Sequence, residues 1–253
     1  MKKVLLAICV LLGACATEAP DPETTSPEEL YNYAADLLIE RREYTRSVEA
    51  FDQIDRYYPY SRWALKAQIM AAFANYIKKD YDDAEILLER FIKLYPGNRY
   101  APYAYYLKAM CDYARLSDPR RDQARTEDAL AALNEVVARF PDTPYAEDAK
   151  KKTVLAADYL AAHELNVGRA YEMKSEHAAA LNRFETVVRL YPATQSVQEA
   201  LYRMTEIFLI LGLDDQARKS AAVLGYNYPD GVWYARAYAL IGEHAPHLLS
   251  PKG

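Results

Sequence analysis

The chain has 253 residues, 51% of them apolar by type, 12% aromatic and 26% charged. That is enough to bury a substantial core and excludes intrinsic disorder for most of its length. Only 8 Gly and 13 Pro stand against 23 Tyr, and long stretches are rich in Ala, Leu, Glu and Arg, which favours helix over a turn-dense sheet protein or a Rossmann enzyme. A net charge of −5 repels phosphate backbones, so nucleic acid is a poor partner.

Residues 1–14 join Lys2 and Lys3 to an apolar run, Val4 to Leu12, that is too short to span a bilayer, and they read as an export signal. The run closes on Leu12-Gly13-Ala14-Cys15, which resembles the lipobox of bacterial lipoproteins. The resemblance implies cleavage before Cys15, a covalent N-acyl and S-diacylglycerol lipid on that residue, and stable anchoring without a spanning helix. Ala16 in place of an aspartate implies sorting to the outer membrane, on its periplasmic face. Losing Lys2 and Lys3 leaves 29 basic against 36 acidic residues, a mature charge of about −7. Cys9 leaves with the signal, so Cys111 is the one thiol and no internal disulfide can form; inside YLKAMCDYA it reads as a small buried hydrophobe.

Residues 15–27 are Pro-, Thr- and acid-rich and read as a tether. Ser26, Pro27, Glu28 and Glu29 then form a helix start.

An aromatic-Pro pair recurs at Tyr58-Pro59, Tyr95-Pro96, Phe140-Pro141, Tyr191-Pro192 and Tyr228-Pro229. Twelve residues before the prolines stand Ser47, Ala84, Ala129, Ala180 and Ala217. Eight before come Phe51, Leu88, Leu133, Phe184 and Ala221, and five before, Ile54, Phe91, Val136, Val187 and Leu224. These offsets draw one buried stripe on a helix that ends at the proline, and the small residue admits a close neighbour. A second helical pattern precedes each stripe, so every unit is an antiparallel helix pair. The pattern resembles the tetratricopeptide repeat.

The expected fold is therefore all-α, a right-handed superhelix of five pairs over residues 28–245. The units fall at about 28–64, 65–101, 102–146, 147–197 and 198–235, followed by a C-terminal closing helix and a tail at 246–253. The third unit carries an insertion, Arg115 to Asp122, expected to loop between its helices. Ala146 to Met173 has no proline and should form one unusually long helix.

No HExxH, GxSxG, GxxxxGK[ST] or GxGxxG occurs. His244 and His247 are a weak metal pair, His163 and His177 read as solvated, and Asp82, Asp83, Asp214 and Asp215 read as helix caps. An enzyme and a bound metal are not expected. Repeat offsets place Ile69, Phe73, Tyr76, Tyr103, Tyr106, Met110 and Tyr113 on the concave face, an aromatic wall suited to an extended peptide.

The lipobox, the acidic tether and the repeated joints Tyr58-Pro-Tyr-Ser-Arg-Trp-Ala64 and Phe140-Pro-Asp-Thr-Pro-Tyr-Ala146 are together similar to the BamD family, also called YfiO or ComL. The stretch Ala180-Leu-Asn-Arg-Phe-Glu-Thr-Val-Val-Arg-Leu-Tyr-Pro192 is among the more specific parts of the likeness. The resemblance implies a non-catalytic scaffold of the β-barrel assembly machinery. It would hold the POTRA domains of BamA, the accessory Bam lipoproteins and unfolded outer membrane proteins. Arg183 matches the family's BamA-contacting arginine, and Asp112, Asp118 and Asp122 match a second, acidic contact in the insertion. The rival readings are another repeat lipoprotein, such as a secretin pilot protein, and an envelope hydrolase, which would need a catalytic constellation that the sequence does not offer.

Overall fold

The computed structural model describes residues 19–249; Cys15 and the signal segment lie outside them. The described residues are all-α: α1 (Pro27–Ile39), α2 (Tyr44–Tyr57), α3 (Arg62–Lys78), α4 (Tyr81–Leu94), α5 (Ala101–Tyr113), α6 (Ala124–Arg139), α7 (Pro144–Glu172), α8 (His177–Leu190), α9 (Ser196–Ile210), α10 (Asp214–Asn227) and α11 (Val232–His244). A 3-10 turn, Pro246–Leu249, follows. None of these helices is long and apolar enough to cross a membrane. The chain forms two compact units, one up to Ala74 and one from Asn75 onward.

In the first unit Ser26 caps α1 through a capping box: its hydroxyl accepts from the Glu29 N–H while the Glu29 carboxylate accepts from the Ser26 N–H. The Tyr58 hydroxyl donates to the Thr25 carbonyl at 2.9 Å, so the expected tether is held against the fold at its last residues. Ser47 shows why a small residue recurs there. It is fully buried, and its hydroxyl donates to the Ala34 carbonyl of α1 at 2.9 Å, an approach a larger side chain would block.

Every stripe position is buried, from Phe51 and Ile54 in α2 to Ala221 and Leu224 in α10. Each large apolar side chain among them stabilises the fold by about 1.5–3 kcal/mol relative to exposure. All five aromatic residues before the prolines terminate their helices in one conformation, with φ between −127 and −138° and ψ between 48 and 56°. Each carbonyl then accepts from the N–H three residues on, at Ser61, Asn98, Thr143, Thr194 and Gly231. The proline stops the helix and this turn aims the next one.

Within pairs, four turns share a second device. Arg42, Lys79, Ser175 and Gly212 sit at φ +56, +68, +59 and +67°. The N–H of the following residue reaches back to the carbonyls of Leu37, Asn75, Tyr171 and Phe208, closing Schellman-type ends. The third pair lacks this turn because the insertion, 114–123, separates α5 from α6. The 29-residue α7 is the long helix anticipated, and α11 packs on α9 as the closing helix. Gly168 lets α7 and α8 meet: a Cβ there would lie 2.4 Å from the Phe184 ring.

Asp82, Asp214 and Asp215 do not cap. They lie in the first turns of α4 and α10, where their charge suits the helix dipole, and they pair with Arg115, His247 and Arg218 respectively.

An aromatic face on α5 and α7 and the surrounding charge networks

Ile69 is a correction to the expected groove. At 5% exposure it belongs to the core of the first unit, because its offset points between helices rather than outward. Phe73, in the same unit, is half-buried. In the second unit Tyr76, Tyr103, Tyr106, Met110 and Tyr113 are all half-buried.

Two of these, Tyr103 and Tyr106, converge on a residue the sequence reading missed. The Tyr145 ring of α7 lies 5.4 Å from each ring of this pair on α5. The Tyr106 hydroxyl donates to Asp148 at 2.5 Å, and Lys152 reaches the same carboxylate at 2.7 Å while its ammonium lies 5.6 Å from the Tyr113 ring centre. Tyr106 and Tyr113 rest on the buried cluster of Ala109, Leu133, Val136 and Ala149. The rings are thus half-buried and held in place by packing, so little side-chain entropy is left to lose in a further contact.

Burial pushes the Tyr103 hydroxyl up to about 12, and burial followed by the Asp148 bond raises that of Tyr106. The Lys152 bond, then that of Tyr106, holds the Asp148 carboxyl below its usual value. The face therefore offers protonated hydroxyls, aromatic rings and one anchored lysine.

A signal for Tyr145 was present. Five residues after the joint's aromatic stand Trp63, Tyr100, Tyr145 and Trp233. Trp63 packs on Tyr31 at 4.9 Å and Trp233 on Tyr202 at 5.3 Å, so this offset recurrently joins the first helices of successive pairs.

Arg183, on α8, is half-exposed. Its Nη1 donates to both carboxylate oxygens of Glu164 on α7, at 3.2 and 3.0 Å. Asp112 does not lie in the insertion. It closes α5, is 6% exposed, and accepts from Arg115 at 3.2 Å and Arg125 at 3.3 Å. Arg115 also binds Asp82 and Glu85, so the Asp112 carboxylate is an internal counter-ion that ties the insertion's base to α4. Asp118 and Asp122 are exposed, and their carboxylates accept from the Arg120 and Ala124 N–H groups, shaping the loop.

His163 is not simply solvated, since its Nδ1 lies 2.7 Å from the Pro119 carbonyl and pins the insertion to α7. The His177 Nδ1 is buried, another departure from a solvated reading. Cys111 is fully buried and burial pushes its thiol up to about 12, which makes it the inert hydrophobe expected. Among the described residues no group of three His, Cys, Asp or Glu could hold a metal. His247 instead pairs with Asp214 at 2.9 Å.

The sequence matches the family described as YfiO, outer membrane lipoprotein, over residues 23–224. The chain belongs to the YfiO family. It is 41% identical to the outer membrane protein assembly factor BamD of Caulobacter vibrioides, over 95% of this chain and 79% of that one. To the outer membrane protein assembly factor BamD of Rickettsia prowazekii it is 38% identical, over 95% and 96%. Among solved structures, PilW, a type IV pilus biogenesis factor, aligns with 84% of this chain and 98% of its own at 14% identity and a TM-score of 0.39. The YfiO match spans every helix from α1 to α9 and most of α10, so the aromatic face and Arg183 both fall inside it.

Proposed function

We propose that this protein is a lipid-anchored scaffold for the assembly of outer membrane proteins, and the observation that carries the proposal is its family membership over residues 23–224. It is not an enzyme: its relatives are named as assembly factors. In this reading Cys15 carries the lipid on the periplasmic side of the outer membrane. The α5–α7 face then receives an extended segment of an unfolded outer membrane protein, with Tyr103, Tyr106 and Tyr145 supplying apolar area and hydroxyl donors.

Arg183 is the candidate contact for a POTRA domain of BamA. Glu164 engages only Nη1, which orients the guanidinium and leaves Nε and Nη2 for a partner carboxylate. Asp118 and Asp122 remain exposed candidates for a second contact, and accessory Bam lipoproteins complete the partner set. Asp112 drops out of it, since its charge is spent inside the fold.

The test is co-purification of a C-terminally tagged chain from detergent-solubilised envelopes. BamA is expected at comparable abundance with the wild type and lost with Arg183→Glu, with helicity unchanged. Arg183→Gln should give an intermediate yield. Recovery of a secretin instead of BamA would replace this reading with that of a pilot protein, and retained BamA with Arg183→Glu would reject the role of Arg183.

A further inference from the structure

The second unit holds a cleft of about 360 Å³ between α10 and α11, a size that accommodates a bulky side chain. It is lined by Arg218, Ala222, Gly225 and Tyr226 of α10 and by Tyr234 and Tyr238 of α11. Its cause lies in how the last helix packs. The opening helices α7 and α9 pack more closely on the helix just before them than on the opening helix of the previous pair, whereas α11 leans more on α9 than on α10. Gly225 lets the Tyr234 ring close on α10 at one edge of the cleft, since a Cβ there would lie 2.6 Å from that ring.

Terminal helices of repeat arrays normally turn a polar face to solvent. Here the outer surface beside the cleft exposes Tyr226 at 88%, Val232 at 59% and Tyr238 at 54%. Among the described residues, Arg218 is the one charged member of the cleft wall. Its Nη2 reaches Asp215 at a long 3.4 Å, and its Nε is buried with no hydrogen-bond partner. A buried guanidinium N–H without an acceptor is costly, and an incoming carboxylate relieves that cost.

We propose that this cleft is a docking site for a peptide segment of a partner protein that inserts an aromatic side chain between α10 and α11 and sets a carboxylate from the adjacent turn on Arg218. The charge of the wall selects the acidic residue, and the rings of Tyr226, Tyr234 and Tyr238 select the aromatic one. The site is separate from the α5–α7 face, so it stands or falls independently of the assembly reading.

Two fluorescein-labelled, end-capped helical peptides test it by fluorescence anisotropy with the mature chain in detergent. One carries Glu four residues before Phe, and the other Gln in place of that Glu. The Glu peptide should bind about tenfold more tightly. Arg218→Gln should abolish that preference. Ala222→Trp, which fills the cleft from an exposed position, should eliminate binding of both, and Tyr226→Ala should weaken both without touching the core. Equal affinity for the two peptides, no affinity for either, or undiminished binding by Ala222→Trp and Tyr226→Ala would overturn the proposal.

Discussion

The first helices of successive pairs meet in two unlike ways. Between α5 and α7 the contact is aromatic, Tyr103 and Tyr106 against Tyr145. Between α7 and α9 it is ionic. Arg169 donates to both oxygens of Glu199, Arg203 donates to Glu199 at 2.7 Å and to Glu172, and Glu199 is 7% exposed. The second helices, by contrast, repeat one buried stripe, apolar at every position except Ser47. The stripe builds the repeat, and the joints between first helices are where its chemistry varies. A buried ion network fixes geometry and answers strongly to loss of one partner, whereas a half-buried aromatic joint is expected to answer less in stability.

The ionic joint should give the largest effect. Glu199→Ala leaves Arg169 and Arg203 facing each other with no carboxylate between them, and the expected loss of stability is about 3 kcal/mol, read by urea denaturation. The response to pH sharpens this. Burial raises the Glu199 carboxyl, but the bonds from Arg169 and Arg203 outweigh burial and hold it below its ordinary value of 4.5. A depressed folded value contributes stability that is present above pH 4.5 and lost as pH falls through the folded value. With Glu199→Gln the gap to wild type should therefore be widest near neutrality and narrow below pH 4.5. A gap independent of pH would mean that the joint is held by packing instead.

Next in size is Gly168→Ala, where the new methyl meets the Phe184 ring and α7 and α8 must part. Overpacking of this kind costs about 2 kcal/mol. A neutral result in thermal denaturation would show that the pair has slack that its fully buried stripe does not suggest. Tyr145→Ala should cost less in stability, about 1 kcal/mol, and more in recognition. It removes the ring shared by Tyr103 and Tyr106, so an extended aromatic peptide should bind the variant at least about tenfold more weakly, as measured by anisotropy. Unchanged peptide affinity would place substrate binding elsewhere and make the aromatic joint as purely structural as the ionic one.

Sequence periodicity disclosed the stripe because Ser47, Ala84, Ala129, Ala180 and Ala217 share one offset from a proline, and sterics act locally over that distance. It disclosed the long α7 through the absence of a breaker. It missed the ionic joint, whose members Arg169 and Glu199 lie 30 residues apart and carry no local pattern. Ile69 was misplaced because a helical offset identifies a row but does not separate a residue aimed at a neighbouring helix from one aimed at solvent. Asp112 was misread for a related reason. An acid beside a charged loop resembles a surface contact until Arg115 and Arg125 are seen closing on it.

The smallest expected effect concerns the turns within pairs, and it has the opposite sign. Arg42, Lys79 and Ser175 adopt the left-handed conformation that only the fifth pair assigns to a glycine, Gly212. A side chain in that region costs about 1–2 kcal/mol, part of which glycine returns through its larger conformational entropy when unfolded. Lys79→Gly and Ser175→Gly should therefore each raise stability, by roughly 0.5 kcal/mol. Ser175 is the sharper case, because it lies in the turn that joins α7, the helix common to both joints, to α8. If Ser175→Gly raises the melting temperature while leaving both peptide affinity and the pH response of Glu199 unchanged, then the pair turns set only stability. A shift in peptide affinity would instead show that the turn's rigidity is transmitted along α7 to Tyr145, and that the aromatic face depends on more of the fold than the rings it displays.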